Sequence, residues 1–136
     1  LQGLGVAASG SFIDAELSDG TKIPGQSKEV YSLTVYYEVS GFEVRLAGTK
    51  RSSFLTYQRG GSNKIEAANR EGVELLDAQI SYDFAQSGIQ SLDGLRISLQ
   101  GTNLTDVDEE DVGDLGIATA RREFGPTYML NVNYKF

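Results

Sequence analysis

The chain carries 19 carboxylates but no histidine and no cysteine. The commonest general base, the commonest metal ligand and all thiolate chemistry are therefore missing. The acidic groups are then the first place to look for a site. Six of these crowd into one run, "DVDEEDVGD", as Asp106, Asp108, Glu109, Glu110, Asp111 and Asp114. A calcium loop of the EF type needs alternating oxygen ligands, a glycine at its sixth position and a glutamate at its twelfth. Here Asp111 takes the sixth position and the glycine falls at Gly113, so the pattern fails. A looser contact with a divalent ion is the lesser reading, and a solvated acidic loop at a rim is the expectation. Asp77 and Asp83 would share a strand face, but six residues of strand separate them by about 20 Å, against the roughly 5–10 Å of a glycosidase pair. "NLT" at Asn103–Thr105 fits a glycosylation acceptor, a match common by chance. No catalytic residue, metal site or cofactor is expected, and the chain is not expected to be an enzyme.

The elements that would hold these residues are strands. In "VYSLTVYYEV" the set Tyr31, Leu33, Val35, Tyr37 and Val39 alternates with Ser32, Thr34, Tyr36 and Glu38. Period-two alternation sends successive side chains to opposite faces of a pleat. The same pattern sets Phe42, Val44 and Leu46 against Glu43, Arg45 and Ala47. It sets Leu76, Ala78, Ile80, Tyr82 and Phe84 against Asp77, Gln79 and Asp83, and Leu95, Ile97 and Leu99 against Arg96, Ser98 and Gln100. A weaker copy opens the chain around Leu4, Val6, Ala8 and Phe12. A last one closes it, with Tyr128, Leu130, Val132, Tyr134 and Phe136 against Met129, Asn131, Asn133 and Lys135. Sixteen glycines, two prolines and thirteen Tyr plus Phe (seven and six) agree with an all-β chain.

Six strands are expected, with connections of alternating length. "VSGF" is a tight hairpin turn at Ser40–Gly41, and "AQSGIQSLDG" is moderate. The other three links are long, so an up-and-down meander gathers them at one rim. Within the middle link, "SNKIEAANREGVELL" also has the spacing of a short helix, through Ile65, Ala68, Leu75 and Leu76.

Alternation alone leaves open which way the apolar face looks: inward at the core of a soluble sandwich, or outward at lipid with the polar face lining a lumen. Three features favour lipid. The strands have the roughly 9–11 residues of a tilted bilayer crossing, long loops lie opposite short turns, and aromatic rings sit near strand ends. On that reading Leu33, Val35, Tyr37, Val44, Leu46, Ile80, Tyr82, Phe84, Leu95, Ile97 and Leu99 face lipid. Arg45, Asp77, Gln79, Arg96, Asn131 and Asn133 face the lumen, where Asp77, Arg45 and Arg96 would form an ion-pair ladder. The formal charge of −7 speaks against nucleic acid as a partner. With Leu1 first and the one methionine at Met129, the chain is expected to be the C-terminal piece of something longer.

"GLGVAASGSFIDAEL", "PGQSKEVYSLTVYYEVSGFEVRLAGTKRSSFL", "LDAQISYDF", "LRISLQGTNLTD" and "RREFGPTYMLNVNYKF" follow one another in that order over nearly the whole chain. Together they resemble the C-terminal barrel strands of TonB-dependent outer-membrane receptors. "GTNLTD" before an acidic link and the closing "FGPTYMLNVNYKF" carry most of the resemblance, with Phe124 standing where the pattern has tyrosine. The resemblance implies an antiparallel, up-and-down transmembrane β-barrel segment: the last six strands of a barrel of about 22 strands around a plug, in the outer membrane of a Gram-negative bacterium. It implies import of a scarce ligand such as an iron chelate, vitamin B12 or an oligosaccharide, powered by the TonB complex through an N-terminal region absent from this sequence. Lipid and lipopolysaccharide would surround the barrel. The closing strand, Tyr128, Leu130, Val132, Tyr134 and Phe136, resembles the signal read by the outer-membrane assembly machinery. For ligand contact the resemblance points to the outward loops, hence Tyr57, Arg59, Arg121 and Arg122. The alternatives are a soluble all-β ligand-binding module and a small passive outer-membrane pore.

Overall fold

A computed structural model describes residues 2–60 and 62–135. Ten antiparallel strands account for most of them: β1 (Leu4–Phe12), β2 (Glu29–Val39), β3 (Phe42–Arg51), β4 (Phe54–Arg59), β5 (Ile65–Arg70), β6 (Val73–Asp83), β7 (Leu95–Thr102), β8 (Glu109–Gly113), β9 (Ala118–Arg122) and β10 (Thr127–Tyr134). The six segments with clear alternation form one sheet in the order β1-β2-β3-β6-β7-β10, a meander broken only by two inserted hairpins. Those hairpins, β4–β5 and β8–β9, pair with each other into a second sheet, β4-β5-β8-β9.

Local chemistry explains the connections. The β2–β3 turn places Ser40 and Gly41 at φ 47° and 82°, the two left-handed positions of a type I′ turn, whose twist matches its strands. The β6–β7 link contains two 3-10 turns, Phe84–Gln86 and Gln90–Leu92; Asp83 caps the first by accepting from the Ala85 N–H. Phe84 has thus left the strand, although its ring stays edge-on to Tyr82 at 4.9 Å.

The helix that spacing allowed over residues 62–76 does not form. Instead β5 runs through Ile65–Arg70, because its backbone is taken on one side by β4 and on the other by β8. The acidic run is likewise no free loop: β8 lies inside it. Neither sheet has a conventional core. Ala68 is the only buried hydrophobic residue among the described ones, and strands make extensive contact only with their hydrogen-bonded neighbours.

Candidate functional site: an uncovered apolar face and a paired-hairpin rim

Register turns the alternation of each strand into two continuous faces. Directly opposed residues share a face. One row reads Val35–Leu46–Ala78–Gly101–Tyr128, the next Tyr37–Val44–Ile80–Leu99–Leu130, and the next Val39–Phe42–Tyr82–Ile97–Val132. Leu95 and Tyr134 form the pair beyond it. Every strand residue of the expected lipid-facing set therefore falls on one side, with Leu33 in the row above. These side chains are not packed under anything: Leu46, Ile80 and Leu99 are 45–49% exposed, and Leu130 is 66% exposed. The face is bounded by rings. Phe12 and Tyr31 meet edge-on at 5.5 Å toward the long-link end, and Tyr82 with Phe84 closes the short-turn end.

The opposite face takes Arg45, Asp77, Gln79, Arg96, Asn131 and Asn133 together, as the register requires. The ion-pair ladder expected there does not form. Asp77 is opposed by Ala47, and Arg45 by Gln79, which leaves Asp77 and Arg45 on a diagonal. Such diagonal neighbours lie about 7–8 Å apart. Arg96 instead pairs with Glu43 at 2.7 Å and donates to the buried Ser81 hydroxyl at 3.2 Å. Arg45 makes no ion pair among the described residues.

Asp77 serves a different purpose. Its Oδ1 accepts the backbone N–H of Asn103 at 2.9 Å. Asn103 sits at φ 53°; its Nδ2 donates to the carbonyls of Val107 and Gly125, and its Oδ1 accepts from Val107 N–H. Leu104 N–H reaches the Leu76 carbonyl at 2.8 Å, and the Thr105 hydroxyl reaches that of Glu74. "GTNLTD" is thus a knot that ties the β7–β8 link to β6. The signal for it was an Asx-type turn residue beside a threonine hydroxyl.

The rim sheet is organised by one carboxylate. Asp111 is fully buried and accepts from Arg70 Nε at 2.7 Å, Arg70 Nη2 at 3.2 Å and Arg122 Nη1 at 3.0 Å. The Arg70 hydrogen bonds hold its carboxyl below the usual aspartate range. Glu109 adds a second carboxylate 3.4 Å from Arg70. Phe54 lies against the same guanidinium, at 5.7 Å from its centroid, with Arg51 at 4.2 Å. Asp108 holds Arg121 at 2.7 Å. The expected solvated acidic loop is therefore corrected: its central oxygens are occupied by arginines. Sequence reasoning missed this because Arg70 comes from another link, and Arg121 and Arg122 lie 13 and 11 residues from Asp108 and Asp111 across a hairpin that hydrophobic periodicity does not register.

The four expected ligand-contact residues all lie in this sheet, but on its two edges: Tyr57 and Arg59 on β4, Arg121 and Arg122 on β9. Three are engaged. Arg59 donates to Asn63 Oδ1 at 2.9 Å within its own turn, Arg121 is held by Asp108 and Glu123, and Arg122 by Asp111. Tyr57 is 51% exposed. Phe136 of the closing set lies outside the described residues. No protein-family model and no curated protein matches the chain.

Proposed function

We propose that this chain is the C-terminal barrel portion of an outer-membrane active transporter of the TonB-dependent type. In that role it supplies six transmembrane strands and three outward links. The observation that carries the reading is the uncovered apolar face of a single-layer meander. A soluble all-β module needs its apolar side packed against a second layer, since half-exposed rows of Leu, Ile and Tyr over six strands are costly in water. In hydrocarbon the same rows are solvated, and the ring pairs at either end meet the headgroup zones. From the Lys50 row to the Phe42 row the face spans nine residues, eight steps of about 3.4 Å or about 27 Å along the strand, which a tilt of about 40° foreshortens to about 21 Å. The bounding rings extend it toward the apolar band of about 25 Å typical of such barrels. On this reading the polar face lines the lumen, and the paired hairpins stand above the membrane. The chain does no chemistry; its partners are lipid, the remaining strands and plug, and the imported ligand.

The chain has no cysteine, so single cysteines report cleanly. Leu46 and Ala47 are adjacent and point to opposite faces. In membranes, Leu46→Cys is expected to resist a membrane-impermeant maleimide, whereas Ala47→Cys reacts from the water-filled side. Equal labelling of both, or recovery of the protein in the soluble fraction, would overturn the assignment.

A further inference from the structure

The two hairpins of the rim sheet enclose a cup. Gln58 on β4 donates to the Thr119 hydroxyl on β9, so the outermost strands of the sheet meet across one of its faces. Thr119 in turn donates to the Asp111 carbonyl at 2.9 Å. Gly113 permits this approach, since a Cβ there would press on the Thr119 methyl at 3.0 Å. The β8–β9 tip is fixed as well. Gly113 N–H reaches the Ile117 carbonyl at 3.0 Å, and Gly116 N–H reaches that of Gly113 at 2.9 Å. Leu115 and Ile117 on that tip are 87% and 64% exposed, and they wall a space of about 370 Å³ that is mostly apolar. The size suits a small ligand or one end of a larger one.

The free polar groups of this cup are mainly acceptors. Glu66 and Asp114 line it, and neither has an ion pair or hydrogen bond among the described residues. Gln58 has given an amide N–H to Thr119 and keeps its carbonyl oxygen. No lysine or arginine of the described residues lines the cup. The nearby arginines are already spent, Arg70 and Arg122 on Asp111 and Arg121 on Asp108. Residues 52–72 and 103–126 together hold nine carboxylates against five lysines and arginines, so the surrounding field has the same sign as the cup.

We infer that the cup binds a small organic cation. An aliphatic or aromatic group lies against Leu115 and Ile117, and a protonated amine beside it is met by the carboxylates of Glu66 and Asp114. Charge complementarity selects this occupant. An anion would face two unpaired carboxylates with no free cation to receive it, and a neutral apolar group would leave both carboxylates unused. The inference deepens the transporter reading and rests on it for one point, that the cup opens outward where the imported ligand first docks. It narrows that ligand to one with an apolar group next to a cation. It also moves the contact set away from Arg59, Arg121 and Arg122, whose donors are engaged.

The test uses the protein in lipid nanodiscs, or in buffer should it prove soluble. Three probes share one apolar group: phenethylamine is the cation, 2-phenylethanol the neutral form and 3-phenylpropionate the anion. Methyl resonances of Leu115, Ile117 and Thr119 report the cup, while those of Leu46 and Ile80 report partition into lipid. Phenethylamine is expected to bind at least about threefold more tightly than 2-phenylethanol, an advantage that shrinks at high salt, with 3-phenylpropionate weaker still. Glu66→Gln combined with Asp114→Asn should make the amine and the alcohol bind alike. Ile117→Ala should weaken all three probes at the remaining reporters by at least about twofold. Two glycines inserted between Leu115 and Gly116 spare the seams of the sheet but split the apolar wall, and should do the same. Equal binding of the three probes, silent cup methyls, or a preference that survives in the double variant overturns the inference. Labelling of Leu46→Cys and Ala47→Cys judges the transporter reading separately. A silent cup on a membrane-embedded chain sinks this inference alone, and a cation-binding cup on a soluble chain sinks the transporter reading alone.

Discussion

At the scale of single residues, Asp111 has the largest leverage. It is sealed from water, and its partners reach it from β5 and β9, so one carboxylate holds both hairpins together. Replacing one member of a buried, hydrogen-bonded charge set leaves the others uncompensated, which costs of the order of a few kcal/mol. Asp111→Asn keeps the shape and removes the charge. It is expected to weaken the β5–β8 seam by about 1–3 kcal/mol, seen as roughly 10- to 100-fold faster amide exchange at Asn69, Arg70 and Val112. The pH dependence has a fixed sign. Because Arg70 holds the folded-state pKa below the unfolded one, the stabilisation is complete above the usual aspartate pKa of about 4. It fades as pH falls below that value through the folded pKa. Protection of the seam amides, taken relative to their intrinsic exchange rate at each pH, should therefore be flat from neutrality down to about pH 5 and fall under stronger acid, a fall that Asp111→Asn abolishes. A seam insensitive to acid would show that the charge contributes nothing.

At the scale of elements, the two faces make opposite demands on neighbouring positions. On the transporter reading, Leu46→Arg puts a guanidinium among Val35, Ala78 and Val44 near the bilayer midplane, with an expected cost of about 2–4 kcal/mol. Ala47→Arg, one residue on, projects to the polar side beside Thr34 and Asp77 and should be close to neutral. The fraction of each variant recovered in membranes reads the difference, and similar recoveries would refute a lipid-facing side. How much of this could be read from the amino acids follows from element length. The six main strands run 8–11 residues, most of them with clear alternation, and each appears within a residue or two of its expected limits, apart from Phe84 and an earlier start to β6 at Val73. The four rim strands run only five or six residues. "EEDVG" and "ATARR" are made of charged and small residues without apolar alternation, so hydrophobic periodicity does not register them. The helical spacing around Ile65 and Ala68 lost to strand pairing on both edges. Gly60 and Asn63 between two short similar runs were the available hairpin cue, with Asn63 at φ 60°.

At the scale of the whole molecule, the meander is open, with β1 and β10 at its edges. On the transporter reading those edges are where the remaining strands attach. The closing strand would then serve twice, as a lipid-facing wall and as the segment presented to the assembly machinery. Removing Phe136 from the protein in its native context is expected to lower the amount inserted in the outer membrane severalfold. Unchanged insertion would separate the wall from the signal. The ligand-contact residues were the least legible, because Arg121 and Arg122 look available until the β8–β9 hairpin brings Asp108 and Asp111 beside them.

The rim has a practical consequence for anyone editing it. Gly25 N–H reaches the Leu55 carbonyl at 2.8 Å, so the first link also leans on β4, and β5 in turn leans on β8. Three segments far apart in the chain thus stand or fall together, and trimming any one should loosen the other two. Epitope tags or loop grafts belong instead at the tips, between Leu115 and Gly116 or beside Gly20. There the added residues hang clear of every seam and leave the scaffold beneath them intact.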